Sequence, residues 1–297
     1  MNKNRIAFLV GPTASGKSSL ALELAQKFGF EIVNADRMQC YRHLSIGTAK
    51  PSPADMAKLP HHLYDWVDPD KNISVADYAK NAHQILQNGA GKKSYLVVGG
   101  SGFYLQSLLF PPLDIPKGTM EFSDADQAYK EIQEKDPELC QTLHPNDHYR
   151  ISRALFLLSK GFVPSREWKR ASKQKARLSV LWMGLDIDKE TLTQRIQERT
   201  RHMLTLGLME ETQRILSEFP KSRAVLSKII GYKQCMEALE KKDPSYDLEF
   251  EIQKATRHYA KQQKTWFARN TEIHWESPKH AQERFSCYIE QSIVSPS

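Results

Sequence analysis

The sequence predicts an α/β fold: a parallel sheet flanked by helices, with a separate helical insertion. Three observations predict it. A short apolar run, Arg5 to Val10, passes straight into a glycine-rich loop and then an amphipathic helix. Further short apolar runs alternate with helical patterns, the arrangement that gives parallel strands with both sheet faces covered. Strand character then vanishes after Pro111-Pro112 and returns near Leu178.

Arg5 to Val10 reads as a buried strand ended by Gly11. A helix follows from about Gly16 to Phe28, with Leu20, Leu24 and Phe28 on one face. Glu31 to Asn34 reads as a second strand that runs into Asp36. Ser74 is the expected N-cap of a helix over Val75–Asn88. Tyr95 to Val98 is a third strand, closed by Gly99-Gly100. Helices are expected over Asp124–Lys135 and Asp147–Lys160, punctuated by Pro137, Gly161 and Pro164. A strand at Leu178–Leu185 precedes helices at Lys189–Leu206 and Leu208–Phe219, a short one after Gly231, and a long one from Leu248 to Arg269. The expected division is 1–112 for the first part of the core, 113–178 for a helical insertion, and 179–297 for the rest of the core.

Composition narrows the function classes. With 297 residues, 40% hydrophobic and 26% charged, the chain suits one large globular domain or two ordinary ones. No apolar stretch reaches the roughly 18 residues of a membrane span, and Ile6–Val10 is too short for a signal-peptide core. Cys40, Cys140, Cys235 and Cys287 are scattered without a CxxC pair, which speaks against a disulfide framework or a zinc knuckle. A cytoplasmic protein with no membrane partner is expected. Lys plus Arg outnumber Asp plus Glu, 42 to 35, giving a formal charge of +7 that favours an anionic partner. The excess is clustered. Arg166, Lys169, Arg170, Lys173, Lys175 and Arg177 face the single acid Glu167, and Lys254, Arg257, Lys261, Lys264 and Arg269 have no acid among them. Each run reads either as a solvated helix face or as a phosphate-contacting surface.

Gly11-Pro12-Thr13-Ala14-Ser15-Gly16-Lys17-Ser18 matches GxxxxGK[ST] in full, after a strand and before a helix. In such a P-loop, backbone N–H groups and the helix N-terminus converge on phosphate oxygens. Lys17 adds a mobile point charge, and the Ser18 hydroxyl is a candidate ligand for Mg²⁺. The motif specifies a di- or triphosphate without saying which, and makes the core P-loop NTPase-like. Asp36 lies at the carboxyl end of the second strand, where open α/β sheets bind ligands; a capping role is the alternative. The third strand ends in Gly99-Gly100-Ser101-Gly102 rather than in a Walker B aspartate, so an ordinary ATPase lacks a part it needs. Those glycines imply close approach of the backbone to a ligand or a helix. His61-His62 lacks a third metal ligand in sequence and reads as structural.

Several stretches carry a resemblance: GPTASGKSSLALELA, NADRMQCYRHLSIGTAKPS, HHLYDWVDPDKNISVADY, LVVGGSGFYL, HPNDHYRISRAL, RIQERTRHMLTLGLMEE, IIGYKQCMEAL and ATRHYAKQQKTWFAR. Taken in order, they resemble the tRNA dimethylallyltransferase (tRNA adenosine isopentenyltransferase) family of the bacterial type. The resemblance implies transfer of a dimethylallyl group from its diphosphate to N6 of the adenosine 3′ of the anticodon, with release of diphosphate. It implies that Gly11 to Ser18 hold the diphosphate of the donor rather than ATP, with Mg²⁺ as cofactor. Thr13 then lies near the bridging oxygen, Lys17 stabilises the leaving group, and Asp36 takes the proton from the amine. Arg199 is implied as a clamp on the diphosphate; its pairing with Glu190 or Glu198 at the surface is the level alternative.

The resemblance also implies contacts to a tRNA anticodon stem-loop from Asp36, Arg37, Met38, Gln39 and Ser101, from Tyr149, Arg150, Ile151, Ser152 and Arg153 in the insertion, and from Lys228, Lys233, Lys261 and Lys264. The Gln39 amide either reads an adenine edge or makes a plain structural hydrogen bond. Arg37 stands where the family usually has Ser, and is expected to hold Asp36 ionised and to be within reach of a phosphate of the RNA. A monomer is expected. The rivals are a P-loop small-molecule or nucleotide kinase, and a P-loop RNA-binding protein without chemistry.

Overall fold

The computed structural model describes residues 5–110, 115–172, 176, 178–241, 243 and 245–294. The chain divides into two compact units, Met1–Leu108 with Leu178–Ser297, and Leu109–Arg177. The expected boundary at 112/113 falls outside the described residues.

The larger unit is built on six strands: β1 Ile6–Val10, β2 Phe30–Asn34, β3 His61–His62, β4 Ser94–Val98, β5 Leu181–Leu185 and β6 His274–Glu276. They form one all-parallel sheet in the order β3-β2-β4-β1-β5-β6. β1 is central, with Phe8 level with Val97 on one neighbour and Trp182 on the other. Burial on both faces explains why β1, β4 and β5 are nearly unbroken apolar runs rather than alternating ones.

Fourteen helices are described, in chain order: α1 Lys17–Phe28, α2 Pro53–Met56, α3 Val75–Asn88, α4 Gly102–Leu109, α5 Ala125–Lys135, α6 Pro137–Cys140, α7 His148–Ser159, α8 Pro164–Ser172, α9 Lys189–Thr205, α10 Leu208–Glu218, α11 Arg223–Leu226, α12 Tyr232–Lys241, α13 Leu248–Phe267 and α14 Ala281–Val294. Leu20 and Leu24 of α1 and Phe285 and Ile289 of α14 bury one sheet face together with Leu9 and Leu96. Ser74 caps α3 in a full capping box with Asp77. His61 and His62 form the short edge strand, and His62 Nε2 lies 2.7 Å from Glu31 Oε2. Among the described residues no group of three His, Cys, Asp or Glu is placed to hold a metal, and no helix is long and apolar enough to cross a membrane.

The smaller unit has its own core, with Ile132 of α5, Leu139 of α6, Leu143, and Ile151 and Leu155 of α7. The buried Asp136 carboxylate stitches it together, accepting the N–H groups of Leu139 and Ser165. This corrects one expectation. Ile151 is fully buried, so its side chain belongs to that core and not to an RNA surface. Ser152 Oγ donates to the Met120 carbonyl and Arg153 to the Gly118 carbonyl, so both hold segment 118–120 against α7. Tyr149 is 72% exposed, and Arg150 pairs with Asp147. Lys173, Lys175 and Arg177 of the first basic run lie outside the described residues.

Candidate active site

The loop Gly11–Ser18 joins the end of β1 to α1. Helix α1 begins at Gly16 with no side-chain cap and no acid in its first turn, so its terminal amides are open to an anion. Lys17 folds back over the loop. Its Nζ donates to the carbonyls of Gly11 at 2.9 Å and Pro12 at 2.5 Å, and to Ser15 Oγ at 3.4 Å. Burial pulls the Lys17 ammonium down to about 7; the Asp36 carboxylate opposes that shift and the Arg199 charge adds to it.

Two arginines reach the loop from α9. Arg195 donates to the Ser15 carbonyl at 2.9 Å, and Arg199 to Thr13 Oγ1 at 3.3 Å. They sit four residues apart and therefore on one helix face. Arg199 makes no ion pair with Glu190 or Glu198 among the described residues; its surface-pairing alternative is not the arrangement seen.

Asp36 sits where β2 ends, in a turn locked by Asn34. The fully buried Asn34 amide accepts the Asp36 N–H at 2.8 Å and donates to the carbonyls of Asp36 and Leu63. Asp36 Oδ1 accepts the Met38 N–H at 2.9 Å, so the carboxylate does cap the short turn that follows. Burial raises the Asp36 carboxyl above its usual range, opposed first by that Met38 N–H, then by Lys17 and Arg199. Arg37 is not among the groups that set it. The Arg37 guanidinium turns away to Asn72 Oδ1 at 2.7 Å, and its N–H donates to Ser101 Oγ at 3.2 Å.

Two connected cavities result. The first, of about 1020 Å³, is lined by the P-loop from Thr13 to Ser19, by Asp36, Gln39 and Gly99-Gly100, and by Arg195, Arg199 and Gln263. The second, of about 790 Å³, has a largely apolar wall that includes Ile196, Met203, Ile229 and Ile252. Thr13, Asp36, Thr48 and Arg199 line both. The Asp36 carboxylate therefore lines both a cavity walled by the cations Lys17, Arg195 and Arg199 and an apolar one.

Residues 39–270 match the family described as IPP transferase. The chain is 39% identical over 288 residues to a tRNA dimethylallyltransferase of Geobacter metallireducens, with 92% of each chain covered. It is 37% identical over 282 residues to tRNA dimethylallyltransferase 1 of Citrifermentans bemidjiense, again with 92% of each covered. The chain belongs to the IPP transferase family. A crystal structure of the tRNA delta(2)-isopentenylpyrophosphate transferase of Staphylococcus epidermidis superposes with a TM-score of 0.70 at 28% identity, covering 98% of this chain and all of that one. A eukaryotic dimethylallyltransferase solved acting on tRNA gives a TM-score of 0.85 at 25% identity, covering 99% of this chain and 80% of that one.

Within this IPP transferase fold, the remaining expected residues fall into distinct places. Gln39 Nε2 donates to the carbonyls of Thr48 and Ala49, the structural of its two readings. Ser101 lies between the Arg37 N–H and the Tyr259 hydroxyl. Met38 and Lys228 line the apolar cavity, whereas Lys233 is at the surface, 3.8 Å from Glu237. Lys264 pairs with Asp186 at 2.7 Å, an acid from another element that the charge run of α13 conceals; Lys261 is exposed with no ion pair among the described residues.

Three site residues escape sequence reasoning. Gln263 on α13 is buried; its Oε1 accepts the Thr13 N–H and its Nε2 donates to the Gly100 carbonyl. A side chain at Gly100 would strike the Gln263 amide, so the glycine turn marks an approaching helix. Glu211 on α10 accepts the N–H groups of Ser45 and Ile46 and the Tyr232 hydroxyl, while Tyr232 accepts the Gly47 N–H. Only a glycine fits at 47 against that ring. This pair fixes the loop that carries Gly47 and Thr48 into the apolar cavity. A polar residue spaced among apolar helix positions is the one available signal for Gln263 and Glu211.

Proposed function

We propose that this chain transfers a dimethylallyl group from dimethylallyl diphosphate to N6 of the adenosine 3′ of the anticodon in tRNA, releasing diphosphate. The observation that carries this reading is the placement of Asp36 where a P-loop cavity opens into an apolar one. A kinase needs its acceptor hydroxyl there and a metal-holding aspartate after β4; β4 ends instead in Gly99-Gly100-Ser101-Gly102.

The diphosphate lies along Gly11 to Ser18, with Lys17 and Arg199 at its oxygens, and Lys17 leaves its own loop carbonyls to reach it. The dimethylallyl chain and the adenine share the apolar space next to Asp36. The C1–O bond of the donor breaks as the N6–C1 bond forms. The bonding pair leaves with the diphosphate, where Lys17, Arg199, the P-loop N–H groups and Thr13 meet the growing charge. The amine proton passes to Asp36, whose raised basicity suits the task. The adenosine must leave its stack to enter, at a cost that backbone contacts offset.

Mg²⁺ fits this site. The Ser18 hydroxyl is exposed on the cavity wall, and Mg²⁺ characteristically takes most of its ligands from substrate phosphates and water. When bound, it neutralises charge on the departing diphosphate. A monomeric enzyme of the cytoplasm is part of this reading, since anticodon stem-loops and the diphosphate donor meet there.

The test combines labelled dimethylallyl diphosphate, Mg²⁺ and tRNA lacking the modification. Label in tRNA, with no ATP required or consumed, is expected. ATP turnover without label transfer supports the kinase instead.

A further inference from the structure

Beside the apolar cavity lies a third, of about 490 Å³, that the reaction does not use. Arg37, Lys221 and Lys228 converge on it. Met38 and Lys228 line it and the apolar cavity alike, whereas it shares no wall residue with the P-loop cavity. Asp70 is its one carboxylate among the described residues, and Asp70 makes no ion pair within 4 Å there. None of the three cations has an ion-pair partner among the described residues. Nearby Arg42 and Lys71, by contrast, both pair with Asp68.

The guanidinium at its wall is held but not satisfied. Arg37 is anchored by Asn72 Oδ1 and by the bond from its own N–H to Ser101, yet its buried Nε has no acceptor. The Tyr41 hydroxyl on the same wall is also buried without a partner. Buried donors are almost always bonded, so two residues on one cationic wall that each carry an unpartnered polar atom mark a place where the protein supplies too few acceptors. A fixed guanidinium edge with two lysines around it matches a tetrahedral oxyanion.

We propose that this cavity is a phosphate site that seats a backbone phosphodiester of the RNA next to the adenosine whose base enters the apolar cavity. Lys228, on both walls, spans base and phosphate. The inference rests on the acceptor reading of the apolar cavity given above. Arg37 and Lys221 act here as positioning residues, since neither lines the cavity where the bond is made. Free inorganic phosphate shares the chemistry of a phosphodiester and is the alternative source of the oxyanion.

The test uses the full chain and synthetic anticodon stem-loops. Each stem-loop carries one uncharged methylphosphonate, at the phosphate 5′ or 3′ of the target adenosine. Equilibrium binding is measured for the wild type, Arg37→Gln and Lys221→Gln, with thermal melting as the check on folding; Lys221 is exposed and its variant keeps the test open if Arg37→Gln is unstable. Each variant should bind the native stem-loop roughly tenfold more weakly. Each should also flatten the log–log salt dependence by about 1 unit. One of the two methylphosphonates should weaken the wild type by a similar factor and have no further effect in Arg37→Gln.

Multiplying, independent effects at both positions overturn the proposal. So does tight binding of inorganic phosphate that Arg37→Gln abolishes while RNA binding and its salt slope stay unchanged. Label transfer is measured in parallel: if the wild type binds but never transfers the prenyl group, the functional reading fails while the binding comparison still decides the phosphate site.

Discussion

Gln263 accepts the backbone N–H of Thr13 at 2.8 Å, across 250 residues of sequence. The other end of the same amide donates to Gly100 at 3.0 Å, so one buried side chain on α13 spans the loops after β1 and β4. The P-loop is thus held from outside as well as by its own glycines. Gln263→Ala leaves the Thr13 N–H and the Gly100 carbonyl short of a partner in a buried place, and should lower stability by about 1–3 kcal/mol. Because Thr13 is then free to shift against the diphosphate, affinity for dimethylallyl diphosphate should fall by more than tRNA affinity does. Calorimetric titration of both ligands, with a thermal melt, checks this; equal loss for both ligands contradicts it.

Lys17 should make the donor affinity pH-dependent. The ammonium is pulled down to about 7 in the free protein, and an arriving diphosphate favours its charged form. Above that value the lysine must take up a proton to bind. Affinity should therefore be flat below about pH 6 and fall as pH rises through 7 and beyond, approaching about tenfold per unit. Titrations at pH 8 in buffers of different ionisation enthalpy should show close to one proton taken up, and Lys17→Met should abolish the uptake. Binding at pH 8 with no proton uptake would show that Lys17 stays charged in the free site.

The strands and helices around the P-loop were legible because each obeys a local rule: apolar runs for buried parallel strands, Ser74 as a cap, glycines at the turns. β6 and α14 were not. His274-Trp275-Glu276 is too short and polar to read as a strand, and becomes one only by pairing with β5. Helix α14 carries little apolar bias beyond Phe285 and Ile289, which bury against α1 and the sheet. In the site, the loop from Gly11 to Ser18 between β1 and α1 was legible because its motif is contiguous. The Asp36 turn was read without its lock, since Asn34 acts through Leu63, a long-range partner. The ion pair of Lys264 with Asp186 has the same origin: no charge pattern along α13 reveals an acid after β5.

Glu211 and Tyr232 should matter for transfer and little for the donor. Their 2.5 Å hydrogen bond, with the N–H groups of Ser45, Ile46 and Gly47 arrayed on them, sets the loop at the mouth of the apolar cavity. Tyr232→Phe removes one hydrogen bond at each end and should cost about 1 kcal/mol of stability. Glu211→Ala orphans buried N–H groups and should cost more, about 2–4 kcal/mol. Both should raise the tRNA KM while the dissociation constant of dimethylallyl diphosphate stays within about twofold. Unchanged tRNA kinetics in a folded Tyr232→Phe variant would detach this pair from the acceptor side.

The lysines of α13 should not be equivalent toward RNA. Lys261 is exposed and without an ion pair among the described residues, while Lys264 is tied to Asp186 at 2.7 Å. Neutralising Lys261 should flatten the salt dependence of tRNA binding by about 1 unit of log–log slope, and neutralising Lys264 by less. Filter binding across a salt series separates them. An unaltered slope in Lys261→Gln assigns the helix face to solvent.

The proposed reaction gives Asp36 two jobs, and substitution separates them. One carboxylate oxygen caps the turn through the Met38 N–H, which an asparagine oxygen can also do. Accepting a proton from the adenosine amine is a job only the carboxylate can do. Asp36→Asn should therefore keep the fold and bind tRNA and dimethylallyl diphosphate within a few-fold, yet lose about 10²–10⁴ in single-turnover rate. The sign of the pH dependence follows from the same group. A base must be deprotonated, so the rate falls as pH drops through its pKa, and burial raises that pKa above the usual carboxylate range. The acid limb of the wild-type profile should lie higher than an exposed aspartate would give, and should vanish in Asp36→Asn. Asp36→Glu keeps the base but moves it by one methylene away from the junction of the two cavities, and should retain the acid limb at reduced rate. Rapid-quench measurements on the three proteins, each with saturating donor and tRNA, decide the matter. If Asp36→Asn transfers at a near-normal rate but binds tRNA poorly, Asp36 recognises the adenosine and the proton leaves by another route.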